Sequence, residues 1–188
     1  MTPDRRDLLQ GLAALAVAGP ALAQREGAEP GPALTGARPA TRTPGRAGDF
    51  DFLNGQWAIR NHRMREGRWE SFDGEARCFG ILDGLCSVEE LRIPSRDFAG
   101  LGLRILDMKT RLWADHWVNA KSGVVGSPGL PGSFEAGAGI FENEEDGVLY
   151  RSVWDLITPR SCRWQQGVSR DGGKSWQLDW SMDWTRKA

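Results

Sequence analysis

Near its C-terminal end the chain alternates without a break. Trp176, Leu178, Trp180, Met182 and Trp184 fall on one parity, and Gln177, Asp179, Ser181, Asp183 and Thr185 on the other. A period of two predicts a β-strand with one wholly apolar face. The same test puts Cys162, Trp164, Gln166 and Val168 inside in the preceding strand, and Val148, Tyr150, Ser152, Trp154 and Leu156 inside in the one before that. Trp57, Ile59, Asn61 and Arg63 share a face in a first strand, and Cys86, Val88, Glu90 and Arg92 share one in a third. In a further strand Trp113, Asp115, Trp117 and Asn119 point inward, leaving Leu112, Ala114, His116 and Val118 on the other face.

Between these stretches lie turn signals: Glu66-Gly67, Asp83-Gly84, Asp107-Met108-Lys109, Asp146-Gly147 and Asp171-Gly172-Gly173. No helical period of useful length competes with them. Short strands at even spacing predict an all-β antiparallel meander, either a sandwich or an up-and-down barrel, and closure into a barrel removes the exposed edges that a long meander leaves. The barrel is the expectation. If Asp83-Gly84 is a two-residue turn, Ile81 faces Cys86 and Cys78 faces Glu89 on the opposite side of the sheet, which argues against a Cys78–Cys86 disulfide.

The stretch Ser169 to Trp176, SRDGGKSW, matches the Ser-x-Asp-x-Gly-x-x-Trp box of sialidase-type propeller hairpins. A propeller needs the box at a regular period, and it occurs here once. It therefore predicts a hairpin corner. The loop Gly123 to Gly132, with Pro128 and Pro131, reads as a lid or corner.

Wide aromatics alternating with polar residues suit a barrel lumen that holds a ligand, although indoles are bulky enough to plug a small barrel outright. On the ligand-holding reading the pocket consists of Trp113, Trp117, Trp154, Trp164 and Trp180, oriented by Asn61, Arg63, Glu90, Asn119, Tyr150 and Gln166. Asp115 among indoles is a candidate proton donor or acceptor, or else the partner of Arg63 or Arg92 in an internal salt bridge. His116 would have to join Asp115 across a bulge to share in catalysis, and otherwise is a solvated outer residue.

Composition narrows the setting. The chain has a formal net charge of -1, which argues against nucleic acid and against a polybasic membrane patch. Asp4-Arg5-Arg6-Asp7-Leu8-Leu9, a short Gly/Ala/Leu/Val run and Ala21-Leu22-Ala23 have the form of a twin-arginine-like export signal over residues 1–23. The run is too short and too rich in glycine and alanine to span a bilayer, so no membrane attachment is expected after cleavage. Residues 24–47, rich in Pro, Gly and Ala, cannot bury enough apolar surface to order themselves and read as a linker. Residues 48–188 are then one domain, periplasmic or secreted. Cys78, Cys86 and Cys162 are odd in number and form no Cys-x-x-Cys, and two histidines are too few for a zinc site without carboxylate help. No metal or cofactor is expected, except that haem binding in its simplest form would need His62 or His116 as axial ligand. The expected partner is a small hydrophobic or aromatic molecule; composition leaves the oligomeric state open.

The segment Phe50-Asp51-Phe52-Leu53-Asn54-Gly55-Gln56-Trp57 carries Gly-x-Trp at the start of the first strand, as lipocalins and other calycins do, and Trp184-Thr185-Arg186 lies where their stacking arginine would. With the strand from Trp113 to Trp117 and the stretch from Arg163 to Arg186, the chain resembles an uncharacterised bacterial calycin-like (lipocalin-like) β-barrel family. The resemblance implies a barrel of about nine or ten strands with a short helical lead-in, closed at one end by Trp57 under Arg186. It implies a fold more firmly than an activity, since calycins bind lipids, pigments or haem and occasionally catalyse. Asp115-His116 replaces the apolar residue and tyrosine of that family's pattern. The functional expectation is a periplasmic barrel binding a small apolar or aromatic molecule; the alternative is a proton-transfer enzyme of isomerase, hydratase or lyase type working through Asp115 and His116.

Overall fold

The computed structural model describes residues 30–36 and 42–188. The expected export signal, residues 1–23, lies outside the described residues. The described chain is all-β: ten antiparallel strands run β1 (Gly55–Arg65), β2 (Arg68–Ile81), β3 (Cys86–Ile93), β4 (Phe98–Asp107), β5 (Leu112–Asn119), β6 (Leu130–Glu135), β7 (Ala138–Glu145), β8 (Val148–Asp155), β9 (Ser161–Ser169) and β10 (Gln177–Arg186). Each pairs with the next, and β10 returns to β1, so the sheet closes into an up-and-down, calycin-like barrel. One helical turn, α1 (Pro32–Thr35), and a 3-10 turn at Asp51–Leu53 precede β1.

The hairpins sit where the turn signals stand. Glu66-Gly67 and Asp146-Gly147 both take positive φ at two successive residues, the twist that a tight hairpin needs. Asp83-Gly84 lies inside a longer turn, Leu82 to Leu85, closed by Leu85 N–H to the Leu82 carbonyl. The register is nevertheless the expected one, with Ile81 opposite Cys86 and Cys78 opposite Glu89. All three cysteines are buried and free. Burial pushes the Cys162 thiol up to about 12 and shifts Cys78 in the same direction, so neither is a ready thiolate.

Closure is sealed where β1 begins and β10 ends. Trp57 is fully buried, opposite Arg186 in the ladder, with the guanidinium carbon 4.2 Å from the centre of its ring system. The indole N–H donates to the Leu53 carbonyl at 2.7 Å, and Arg186 donates to the carbonyls of Phe52 (2.7 Å), Pro159 (2.8 Å) and Asn54. Gly55 explains the glycine of the Gly-x-Trp motif: its φ is 133°, and a Cβ there would strike the Arg186 guanidinium.

Four readings of the sequence are corrected. Leu156, expected inside with Trp154, lies just past the end of β8 and is exposed. In β10 the register shifts between Leu178 and Trp180, and Asp179 is the extra residue of a bulge. Trp180, Met182 and Trp184 stay inside. Leu178, however, faces outward to join Val153, and Trp176 stacks on Arg151 at 4.0 Å from guanidinium carbon to ring centre. In β3 the inward face is Glu89, Leu91 and Ile93, while Glu90 is exposed and pairs with Arg92 on the outside. In the loop Gly123 to Gly132, Leu130, Pro131 and Gly132 already belong to β6 and pair with Asp115, Ala114 and Trp113.

Within 24–47, residues 30–36 and 42–47 are described, and they lie on the barrel. Leu34 is fully buried against Val153 and Leu178, on apolar surface that the β10 bulge turns outward. Arg151, ion-paired to Glu142 at 2.6 Å, donates to the carbonyls of Leu34 (3.0 Å) and Gly36 (2.6 Å). Gly45 exchanges hydrogen bonds with Arg111, 2.7 Å each way.

The Arg186–Trp57 stack contributes on the order of 1 to 2 kcal/mol, a sizeable part of a domain's roughly 5 to 15 kcal/mol. Arg186→Lys keeps the charge but loses the planar stack and the fork of donors, so it should lower the urea midpoint nearly as far as Arg186→Ala. An Arg186→Ala midpoint equal to that of the parent would show that the seal carries no stability.

Candidate binding site in the barrel lumen

The lumen is plugged at one end and hollow toward the other. Phe50, carried in by the lead-in to β1, meets Trp113 and Phe134 edge-on, each at 4.9 Å between ring centres. With Phe52, Trp57 and Phe141 they form an aromatic floor. Above it Trp154 and Trp184 meet at 5.2 Å, then Trp164 and Trp180 at 5.9 Å, while Phe98 and Trp117 stack at 5.9 Å with their planes 8° apart. These rings wall a cavity of about 630 Å³, the size of many small-molecule sites. The plugging and ligand-holding readings each describe one half of the interior.

A buried charge cluster crosses this wall. Arg104 on β4 is hydrogen-bonded to Glu89 on β3, and its Nε lies 3.5 Å from Asp115 on β5; Arg104 and Glu89 are almost wholly buried. Burial alone would lower the pKa of Arg104, but attraction to Glu89 and Asp115 outweighs it and holds the group firmly cationic. Two glycines on the inward face of β4 make room. A Cβ on Gly102 would press on Arg104 Nη2 and Glu89 Oε2, at 3.1 and 3.2 Å, and one on Gly100 would collide with the Trp117 ring.

Of the residues expected to line a pocket, Trp117, Tyr150, Trp154, Trp164, Gln166 and Trp180 do so, and Asp115 and His116 join them. The others are engaged elsewhere. Trp113 is in the floor and donates to Asp49 at 3.0 Å; Asn61 is buried and accepts from the Trp180 indole at 3.0 Å. Glu90 is outside. Asn119 caps the turn after β5, accepting from Lys121 N–H at 2.9 Å. Arg63 lies with its guanidinium carbon 4.5 Å from the centre of the Trp180 ring system. Asp115 points inward as the alternation requires, yet its arginine is Arg104, not Arg63 or Arg92. His116, expected in solvent, is covered: its Nδ1 is 2.9 Å from the Gly126 carbonyl and its ring lies against Gly129. His62 sits on the outer face, 2.9 Å from Ser71 Oγ.

Sequence reasoning missed Arg104 and Glu89. Gly-x-Gly-x-Arg across Gly100, Gly102 and Arg104, facing a strand with a carboxylate at each parity, was the available signal. It also missed the rim, where the β7–β8 hairpin around Asp146 and the loop at Ser127 and Pro128 flank the opening.

The bulge in β10 turns Asp179 toward Gln166, whose Nε2 donates to it at 3.2 and 3.3 Å. Burial pushes the Asp179 carboxyl up to about 6, against the opposing pull of the Gln166 hydrogen bond and of Arg63.

No protein-family model and no curated protein sequence matches the chain. Among solved structures it is similar to the S-type phycobiliprotein lyase CPES from Guillardia theta, with 10% identity over 74% of this chain and 90% of that one and a TM-score of 0.48. A DUF3598-family protein of unknown function from Nostoc punctiforme aligns at 12% identity over 73% of this chain and 48% of that one, TM-score 0.42. Rv2717c from M. tuberculosis aligns at 10% identity over 73% and 94%, TM-score 0.44.

A carboxyl whose folded pKa lies above its ordinary value binds its proton more tightly folded than unfolded. Its stabilising contribution is therefore complete below about pH 4 and is lost as the pH rises through about 6. Asp179→Asn, which keeps the hydrogen-bond acceptor, should flatten the fall in urea midpoint between these limits, by an amount on the order of 1 kcal/mol. An unchanged pH slope in the variant would mean that Asp179 is not the titrating group.

Proposed function

We propose that this barrel binds a small aromatic or otherwise apolar molecule in its lumen, and that it does so in the periplasm after export. The observation that carries the binding reading is the cavity of about 630 Å³ between the aromatic floor and the rim, walled by Trp117, Trp154, Trp164 and Trp180. Rigid aromatic walls with a few polar groups are the usual composition of a small-molecule site. The enzymatic alternative is less well supported, because the Asp115 carboxylate lies against the Arg104 guanidinium and so reads as an ion pair rather than a proton carrier. A haem ligand is disfavoured as well, since the His116 Nδ1 is already engaged by the Gly126 carbonyl and His62 is on the outer face. The proposal of export rests on the arginine pair, the apolar run and the Ala21-Leu22-Ala23 site in residues 1–23. Kinship with the bacterial calycin-like family rests on Gly55-Gln56-Trp57 and Trp184-Thr185-Arg186.

Titrating the purified protein with a panel of lipids, quinones and polycyclic aromatics should produce saturable quenching of tryptophan fluorescence by at least one class. Trp164→Ala, at the cavity wall, should weaken that ligand about tenfold or more. A panel in which nothing saturates would overturn the binding reading. Expression in a bacterium with an intact twin-arginine system should yield a periplasmic protein beginning at Gln24, and recovery of the full-length chain from the cytoplasm alone would overturn the export reading.

A further inference from the structure

The outer surface of the barrel changes character from strand to strand. Along β1 and β10 it is polar, with Arg60 opposite Asp183 and His62 opposite Ser181. On β8 and β10 it turns apolar at Val153 and Leu178, and there the chain lays Leu34 over it. A second apolar outer face spans β2 to β5. Strand register aligns Phe79, Val88 and Leu103 in one row and sets Ile81 and Ile105 on either side of Cys86 in the next. Val125, bridged to Val118, extends the face past β5. Phe79 is 47%, Ile81 42%, Ile105 42% and Val125 50% exposed. The segment that covers Val153 packs on β7, β8 and β9, across the barrel from this face.

Four strands with three outward residues each make a face of roughly 20 by 20 Å, or about 400 Å². Apolar patches of this size on a soluble protein mark contact surfaces. A stable dimer needs about 800 Å² from each subunit, with an apolar centre inside a polar rim. The rim is there. Along one margin Arg77 stands opposite Glu90 and Glu75 opposite Arg92, and beyond Ile105 lie the exposed Asp107 and Lys109. Both signs stand side by side on each margin, so an anionic lipid surface meets no basic patch, and a partner of one charge sign is repelled by half of the rim. A second copy brought in by a half-turn presents the same mixture and can set arginines against carboxylates. Closure of the barrel leaves no unpaired strand edge, so such an association is face against face.

We propose that the outer face of β2 to β5 is the interface of a twofold-symmetric homodimer, centred on Phe79, Ile81 and Ile105 and ringed by the charged pairs of β2 and β3. Leu34 covers the apolar patch on β8 and β10 within one chain; a second chain covers the patch on β2 to β5. The proposal is independent of what the lumen binds.

Sedimentation velocity of the full-length protein over about 1 to 100 μM should show the mass rising from one chain to two. Monomer mass throughout, or growth beyond two chains, would overturn the proposal. Phe79→Ser and Ile105→Thr alter outward side chains, and the second keeps the β-branch that a strand favours. Each should weaken the dimer about tenfold or more, while Leu156→Ser, at a residue equally exposed but outside the face, should not. A dimer untouched by both variants would place the interface elsewhere. Hydroxyl-radical footprinting of the unmodified protein needs no variant to fold: Phe79 and Ile105 should be protected at high concentration and released on dilution, with Leu156 unchanged. Equal labelling at both concentrations would overturn the proposal. So would co-flotation of the monomer with phosphatidylcholine–phosphatidylglycerol vesicles with protection of Phe79, which would assign the face to lipid.

Discussion

The pairing of β10 with β1 is the constraint on which the rest depends. Ten antiparallel strands left open would carry two long unpaired edges, and an open, curling sheet would have no enclosed interior. The last turn of that seam is held by a guanidinium lying on an indole and donating to three carbonyls from two different chain segments. A lysine has neither the plane nor the fork to replace it. The seal therefore sets the register of β1 against β10, and through it which side chains of both strands face inward.

Once closed, the interior divides by what enters it. The segment before β1 inserts Phe50 and Phe52 from below, and with Trp113, Phe134 and Phe141 these fill the floor. Among the described residues nothing comparable enters from the other end, where the β7–β8 hairpin and the β5–β6 loop flank the opening. Between them the wall carries one arginine with two carboxylates, an arrangement that is weak evidence for stability because desolvation offsets most of the Coulomb gain. The two inward glycines of β4 that accommodate it make the cluster a specified feature of the wall, and it determines the charge that any occupant meets.

A single bulge links the two sides of the sheet. By absorbing Asp179, β10 turns that carboxyl toward Gln166 and Arg63 near the open end, and turns Leu178 outward. The outer face so created is apolar enough to hold Leu34, and Arg151 beneath Trp176 caps the carbonyls of the same segment. Composition alone marks that segment as unable to order itself, but its described residues are held on the barrel by contacts from strands more than a hundred residues away.

What the amino-acid sequence determined by itself is what local periodicity and turn chemistry can encode: all-β structure, hairpin positions, the β2–β3 register, and the inward tryptophans of β5, β8 and β9, while the Trp57–Arg186 seal is implied by the calycin resemblance. The periodic and turn features follow because side chains alternate on a strand and because Gly after Asp or Glu permits a tight turn wherever it occurs. Tertiary structure alone decided the parity of β3, the bulge in β10, the partner of Asp115 and the covering of His116. Glu89 and Glu90 are the same residue type on opposite faces, so no local pattern distinguishes them; only the neighbouring strand, presenting Arg104 inside, does. Asp115 lies in reach of Arg104 because β4 and β5 pair in one register out of several that their sequences would allow. Contacts between strands depend on the closure of the whole sheet, a property that no stretch of the chain possesses until all ten strands are in place.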